Sequence, residues 1–331
     1  MKKTSLSIIT LCFLFVSLVN SQTYEPLEWG NIDPADLELE SYPLDTTAHA
    51  VVLGDQAYVN VYRNNNGYLE WMLRRHRRVK ILDETGLNEY GKASLFYYHY
   101  EKKDKIKKIV AHTIAPDGTI TEVDKAEIYE EKINEYWTKI SFNFPNLTPG
   151  SVLEYRYTHF SQRWVVPEEW ALREKIPVRS SYYEFGCTAP VAYTYLLKGA
   201  EYMQGEDLPN GRARYQLGEM SLLVDGPKFW MQNGQAIREE PYMTTLEDYF
   251  IKVRFQASEI IHASGPPEPI YGTWENAAEE LLSHSRLGHT FLRKRNHKII
   301  LEDAIQEIDA SAEEDDIVQQ ITAFVQREIK W

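Results

Sequence analysis

Cysteine is nearly absent from this 331-residue chain, with Cys12 and Cys187 the only two. Cys12 sits in an N-terminal apolar stretch behind Leu11, where a lipid-modified cysteine would need a small residue. Without that stretch Cys187 stands alone, so no intramolecular disulfide can form and stability must come from a hydrophobic core. A phosphate-binding glycine loop, a nucleophile elbow and a His-Glu-x-x-His motif are all missing, which removes the common signatures of nucleotide, hydrolase and metalloprotease sites. No catalytic, cofactor-binding or metal-ligating residue can be assigned, and no cofactor is expected. Positive charge is also short. Against 49 acidic residues stand 36 Lys and Arg, a formal net charge of -13 that disfavours nucleic acid and anionic lipid as partners.

The only long apolar run comes first. Lys2 and Lys3, the apolar Leu6 to Val19 and the small residues around Ser21 follow the order of a secretory signal peptide, predicting residues 1–21 as a leader cut between Ser21 and Gln22. The run falls short of the roughly 20 residues a membrane span needs. The mature chain is therefore expected to be exported, to the periplasm or beyond, with no transmembrane anchor after cleavage.

With 43% hydrophobic and 13% aromatic residues, the remainder can build a core. Residues 22–47 form an acidic lead-in punctuated by Pro26, Pro34 and Pro43, expected to be loosely held, with regular structure starting near Ala48. From 48 to 264, short β-rich runs alternate with turns at Asn66-Gly67, Pro116-Asp117-Gly118, Pro149-Gly150 and Pro209-Asn210-Gly211. This predicts a mainly β chain, an antiparallel β-sandwich with a short α-helical C-terminal segment. The proline cluster Gly265 to Pro269 marks a change to helical period. A helical linker is expected over 265–310, with Thr273 as N-cap and Trp274, Ala277, Ala278, Leu281 and Leu282 on one face. In 311–331, Ser311 and Glu314 read as a capping box before a stripe of Ile317, Ile321, Phe324, Val325 and Ile329. The stop at Trp331 without a terminator suggests that the protein continues.

Each residue group that could carry chemistry has a plainer explanation. Cys187 follows Tyr183-Glu184-Phe185-Gly186, which alternates like a strand and offers no helix N-terminus to lower the thiol pKa, so a buried small hydrophobe is expected. His284, His289 and His297 lack ligand spacing, and His112 and His262 stand alone, which predicts surface or capping roles. In Arg74-Arg75-His76-Arg77-Arg78, strand alternation puts Arg75 and Arg77 on one face, paired with carboxylates across the sheet, and leaves the other face solvated. Glu168 and Glu169 lie near Trp164 and Trp170, the candidate ligand platform. Adjacent carboxylates on an extended chain point opposite ways and cannot flank one glycosidic bond.

Three stretches have a family likeness: Ile114 to Thr119, Phe144 to Tyr157 and Ile176 to Tyr183. The most specific part is Pro145-x-Leu147-x-x-Gly150-x-x-x-Glu154-Tyr155-x-Tyr157. Together they resemble the DUF3857 family, which implies an N-terminal β-sandwich module of an exported bacterial protein with a transglutaminase-like cysteine-enzyme domain downstream. Residues 311–331 resemble the opening helix of that domain. The resemblance implies a non-catalytic accessory module that positions or shields the enzyme domain, its intramolecular partner, because the family's catalytic Cys, His and Asp belong further on. The alternative is a freestanding glycan- or peptide-binding module.

Overall fold

The computed structural model describes residues 24–99, 104–270, 272–284, 306–309 and 311–328. The leader with its Ser21/Gln22 junction, His289, His297 and Ile329 lie outside the described residues. Two compact units are present: one runs to Ala189 and takes up Thr194–Gln256, and the other holds Pro190–Tyr193 and residues from Ala257 onward.

The chain is mainly β, as the alternation predicts. Its strands are β1 (Ala50–Arg63), β2 (Leu69–Ile81), β3 (Lys92–Tyr98), β4 (Lys105–Ile114), β5 (Ile120–Glu122), β6 (Tyr129–Lys132), β7 (Trp137–Asn143), β8 (Val152–Ser161), β9 (Trp170–Ala171), β10 (Val178–Cys187), β11 (Val191–Lys198), β12 (Gln204–Leu208), β13 (Arg212–Leu217), β14 (Met220–Asp225), β15 (Lys228–Gly234), β16 (Lys252–Ile260) and β17 (Glu268–Pro269). The helices are α1 (Pro34–Leu37), α2 (Glu84–Tyr90), α3 (Trp274–Ser283) and α4 (Glu314–Glu328).

In the first unit ten strands form one sheet in the order β12-β13-β14-β15-β10-β1-β2-β8-β4-β5, and β3-β7-β6 form another. The β1–β2 hairpin turns at Asn66-Gly67, where Gly67 takes a φ of 84° and Asn64 Oδ1 accepts the Asn66 and Tyr68 amides. The pairing of β1 with β10 departs from the antiparallel expectation: the two run parallel, Ala57 beside Tyr183. The second layer packs on one face of the large sheet, with Phe142 6.1 Å edge-on to Tyr155. Phe255 of β16 stacks on Phe185 at 3.9 Å, and Trp71, Tyr183 and Phe229 are fully buried. Each such ring contributes about 1.5–3 kcal/mol by leaving water.

The opposite face corrects the expectation of a loose lead-in. Residues 24–47 lie across the sheet and are tied down along their length. Tyr24 stacks on Tyr182 with centroids 3.7 Å apart. Asp33 caps α1 by accepting the Ala35 amide, and Asp36 pairs with Arg179. Lys80, fully buried, donates from Nζ to the carbonyls of Leu37 (2.7 Å) and Gly150 (2.6 Å). Tyr42, Val51, Leu53, Ile114 and Val152 form a core under this strap, with Ile32, Leu37 and Leu39 against it. Regular structure therefore begins before Ala48.

In the second unit α3 has the expected cap, Thr273 Oγ1 accepting the Asn276 amide at 3.3 Å. Its expected apolar face is exposed, Trp274 at 89% and Leu281 at 57%. The capping box does not form: Ser311 donates through its amide and hydroxyl to Asp309 Oδ1, and α4 opens with the Ile317 amide bonded to the Glu313 carbonyl. Of the expected stripe, Phe324 is buried while Ile321 and Val325 are exposed. No helix among the described residues is long and apolar enough to cross a membrane.

Candidate functional site

The arginine run of β2 organises the polar chemistry of the first unit, and alternation sends its members to different faces. On the core face Arg77 lies directly across from Asp55 and pairs with it and with Glu174. Arg75 Nε donates to Asp55 Oδ1 at 2.9 Å. Burial would raise the Asp55 pKa, but the Arg75 and Arg77 charges outweigh it and hold the carboxyl below its usual range. This agrees with the cross-sheet pairing expected for Arg75 and Arg77.

The same cluster corrects the tryptophan platform. Trp170 is 4% exposed, bonds Ser181 Oγ through its indole N–H at 3.0 Å, and carries the Arg75 guanidinium 4.8 Å over its ring. Trp164 is half-buried. Trp170, at least, has no stacking face to offer. Glu168 turns to His159 and Glu169 to Lys252 and Arg254, so the adjacent carboxylates do diverge.

The other face of β2 is not simply solvated, which corrects a second expectation: His76, Arg78 and Lys80 are buried beneath the strap. At their centre is Glu154 of β8, fully buried, which lies across from His112 of β4 and Arg78 of β2. It accepts five hydrogen bonds: His76 Nε2 at 2.7 Å, His112 Nε2 at 2.6 Å, Arg78 Nη2 at 2.6 Å and Nε at 3.2 Å, and the Gly30 amide at 2.9 Å. Burial alone would raise its pKa, yet the bonds from His112 and His76 and the Arg78 charge hold it far below the carboxylate range. Trp29 of the strap packs on both imidazoles, 4.3 Å from His112 and 5.5 Å from His76. His112, expected at the surface, is thus a buried member of this cluster. Nothing in the local pattern joins His76, His112 and Glu154, because they meet only through pairing of strands distant in sequence.

Beside this cluster the strap and sheet bound an open groove of about 590 Å³. Arg74, Arg156, Lys108 and Lys125 line it, together with Leu27, Gln56 and Tyr58. All four cations are exposed, and none has a carboxylate partner among the described residues. Arg156 extends over the Trp29 ring at 4.6 Å. Lys108 reaches the groove through a bulge in β4, where the register with β8 shifts between Lys107 and Val110 and Lys108 adopts a φ of 56°. A left-handed non-glycine residue costs about 1 kcal/mol or more and persists where its surroundings fix it.

Cys187 ends β10 as expected but is half-buried rather than buried, because it lies at the strand's end, and it donates to the Ala189 carbonyl at 3.4 Å. Among the described residues no cluster of three or more His, Cys, Asp or Glu side chains could hold a metal ion.

Residues 70–216 match the model of DUF3857, a domain of unknown function with solved structure, so the chain contains a DUF3857 domain. No curated protein matches the sequence. Among solved structures the fold is similar to a protein from Parabacteroides distasonis described as a "putative protease", at 13% identity and a TM-score of 0.52, covering 85% of this chain and 51% of that one. The chain thus spans about half the length of that protein. An M1 zinc metallopeptidase from Deinococcus radiodurans matches at 12% identity with a TM-score of 0.27, covering 75% of this chain and 56% of that one, too weakly to carry an argument.

Proposed function

We propose that this DUF3857-containing chain is the non-catalytic accessory module of an exported transglutaminase-like protein, positioning or shielding its catalytic domain. The observation that carries this reading is the state of the buried carboxylates in the first unit. A general acid or base works best with a pKa near the operating pH. Glu154, Asp55 and Asp104 are all pushed the other way, burial being outweighed by fixed donors and cations. They act as permanent acceptors that stiffen the sheet. A fold of this kind spanning half of a longer protein described as a "putative protease" also supports the reading.

The test incubates the purified chain and its Cys187→Ser variant with a glutamine peptide and a primary amine, and reads ammonia release. Neither should release ammonia. Turnover by the chain that Cys187→Ser abolishes, with the near-ultraviolet spectrum unchanged, would overturn the reading. In the native host, a tagged gene product should be recovered outside the cytoplasm, starting at Gln22 and continuous with a Cys-His-Asp domain. An intact Met1 in the cytoplasm would refute export.

One observation favours the alternative of a freestanding glycan-binding module. Phe96 and Trp137 are 50% and 41% exposed on β3 and β7, and Tyr98 stands edge-on to Trp137 at 5.6 Å. A glycan array should lose all signal with Trp137→Ala if this reading holds.

A further inference from the structure

We infer that the groove beside Glu154 binds an acidic peptide segment, one that carries at least two carboxylates around an apolar side chain. The inference stands independently of any accessory role. Its first support is charge. The chain carries 49 acidic against 36 basic residues, so carboxylate partners are plentiful, and Arg75, Arg77 and Arg78 of the same strand have them. Arg74, Arg156, Lys108 and Lys125 converge on one groove without any among the described residues. Glu154 cannot serve them, because its oxygens are taken by His76, His112, Arg78 and Gly30. Like charges gathered on one groove without an ion-pair partner favour an anion brought from outside.

The second support is the bulge in β4. A regular strand would avoid the left-handed conformation of Lys108, yet the register shift holds it and Lys108 lines the groove. Two further features select the ligand. Leu27 and Tyr58 form an apolar part of the wall, which a free phosphate would leave wet and a side chain between two carboxylates would cover. Glu122 and Asp124 line an adjoining cleft with Lys125 and Arg156, and Asp124 is occupied in capping a turn through the Ala126 amide. The acidic ligand is therefore placed on the Arg74 side.

Fluorescence anisotropy of the full chain with a labelled Glu-Leu-Glu-Leu-Glu peptide tests this, with the Gln-Leu-Gln-Leu-Gln peptide as neutral control and inorganic phosphate as competitor. The acidic peptide should bind, weaken as salt rises, and ignore phosphate at equal concentration. Arg74→Gln/Arg156→Gln and Lys108→Gln/Lys125→Gln should each weaken it about tenfold or more, by loss of two charge-assisted contacts. Lys198→Gln, outside the groove, should not. The inference fails if the acidic peptide does not bind, if the neutral peptide binds equally, or if either double variant of unchanged melting temperature binds like the parent. Displacement by equimolar phosphate would assign the groove to phosphate and overturn the peptide.

Discussion

Glu154→Gln is the sharpest probe of how the strap is held. The substitution preserves shape but removes the charge and turns one oxygen into an amide donor. Because Oε1 faces His76 and Arg78 while Oε2 faces His112 and the Gly30 amide, the new N–H₂ meets donors whichever way it turns. The Arg78 guanidinium, 5% exposed, also loses its counter-charge. Removing one member of a buried ion pair costs about 3–5 kcal/mol. At about 2–4 °C per kcal/mol for a domain of this size, the melting temperature should fall by about 6–20 °C.

The pH dependence carries a second signature. Glu154 has a depressed pKa in the folded state, so its contribution is complete above the unfolded value of about 4.3 and is lost as pH falls through the folded value. The gap between parent and variant should be full at pH 7 and shrink below about pH 4.3. Thermal melts followed by tryptophan fluorescence between pH 3 and pH 8 measure both. A loss of less than about 1 kcal/mol at pH 7, against the 3–5 expected, would refute the reasoning, as would a gap that does not change in acid.

Three further outcomes follow from individual contacts. Gly86→Ala should destabilise by about 1–3 kcal/mol in a denaturant melt although alanine favours helices, because its Cβ would lie 2.0 Å from the His49 carbonyl oxygen, which accepts the Leu82 amide. Gly54→Ala should cost only about 1 kcal/mol, since its Cβ meets the tip of Leu27 at 2.8 Å, but it should speed proteolysis of the strap between 24 and 30, read by mass spectrometry. Burial would lower the His159 pKa, but the Asp104 carboxylate at 3.7 Å and Glu168 at 2.9 Å outweigh it and raise it. Its contribution is therefore full below the unfolded value of about 6.5 and fades as pH rises through the folded value. His159→Asn should flatten that alkaline decline.

What the sequence made legible were the strands whose turns carry chemistry. Asn66-Gly67 located the β1–β2 hairpin, and the turn at Pro209-Asn210-Gly211 uses left-handed Asn210 and Gly211 as its composition implies. The β14–β15 hairpin escaped notice although Asp225-Gly226 marks it, with Gly226 at a φ of 59° and Asp225 paired to Lys228. The parallel β1–β10 pairing has no local signal, because its strands are separated by the whole of β2 to β9. The strap face misled for a physical reason. Charges at alternate positions of Arg74-His76-Arg78-Lys80 ordinarily mean solvent. Here His76 and Arg78 are hydrogen-bonded to Glu154, Lys80 is bonded to carbonyls, and residues 24–47 cover them. The motif residue Glu154 was legible as part of a family pattern, but its partners depend on the register of three strands.

That register suggests what the buried charges contribute. A slip of β2 by one residue would swap its faces. Arg74, His76 and Arg78 would enter the core beside Asp55, and Arg75 and Arg77 would leave Asp55 and Glu174 for the strap side, displaced from the native pairings on both faces at once. Paired buried ions often stabilise no better than well-packed apolar groups, whereas an unpaired one costs several kcal/mol. The networks should therefore act against the wrong register more than for the right one. Replacing Asp55, Arg75 and Arg77 together with Leu, Leu and Met tests this. Glu174 is already partly exposed at 25% of its side chain and can be solvated when its partner is lost. The melting temperature should hold or rise, while amide resonances of β1, β2 and β8 should split into two sets as a slipped register becomes populated. A single sharp set, in a variant as stable as the parent, would show that the apolar core fixes the register unaided and that the ion pairs are dispensable to it.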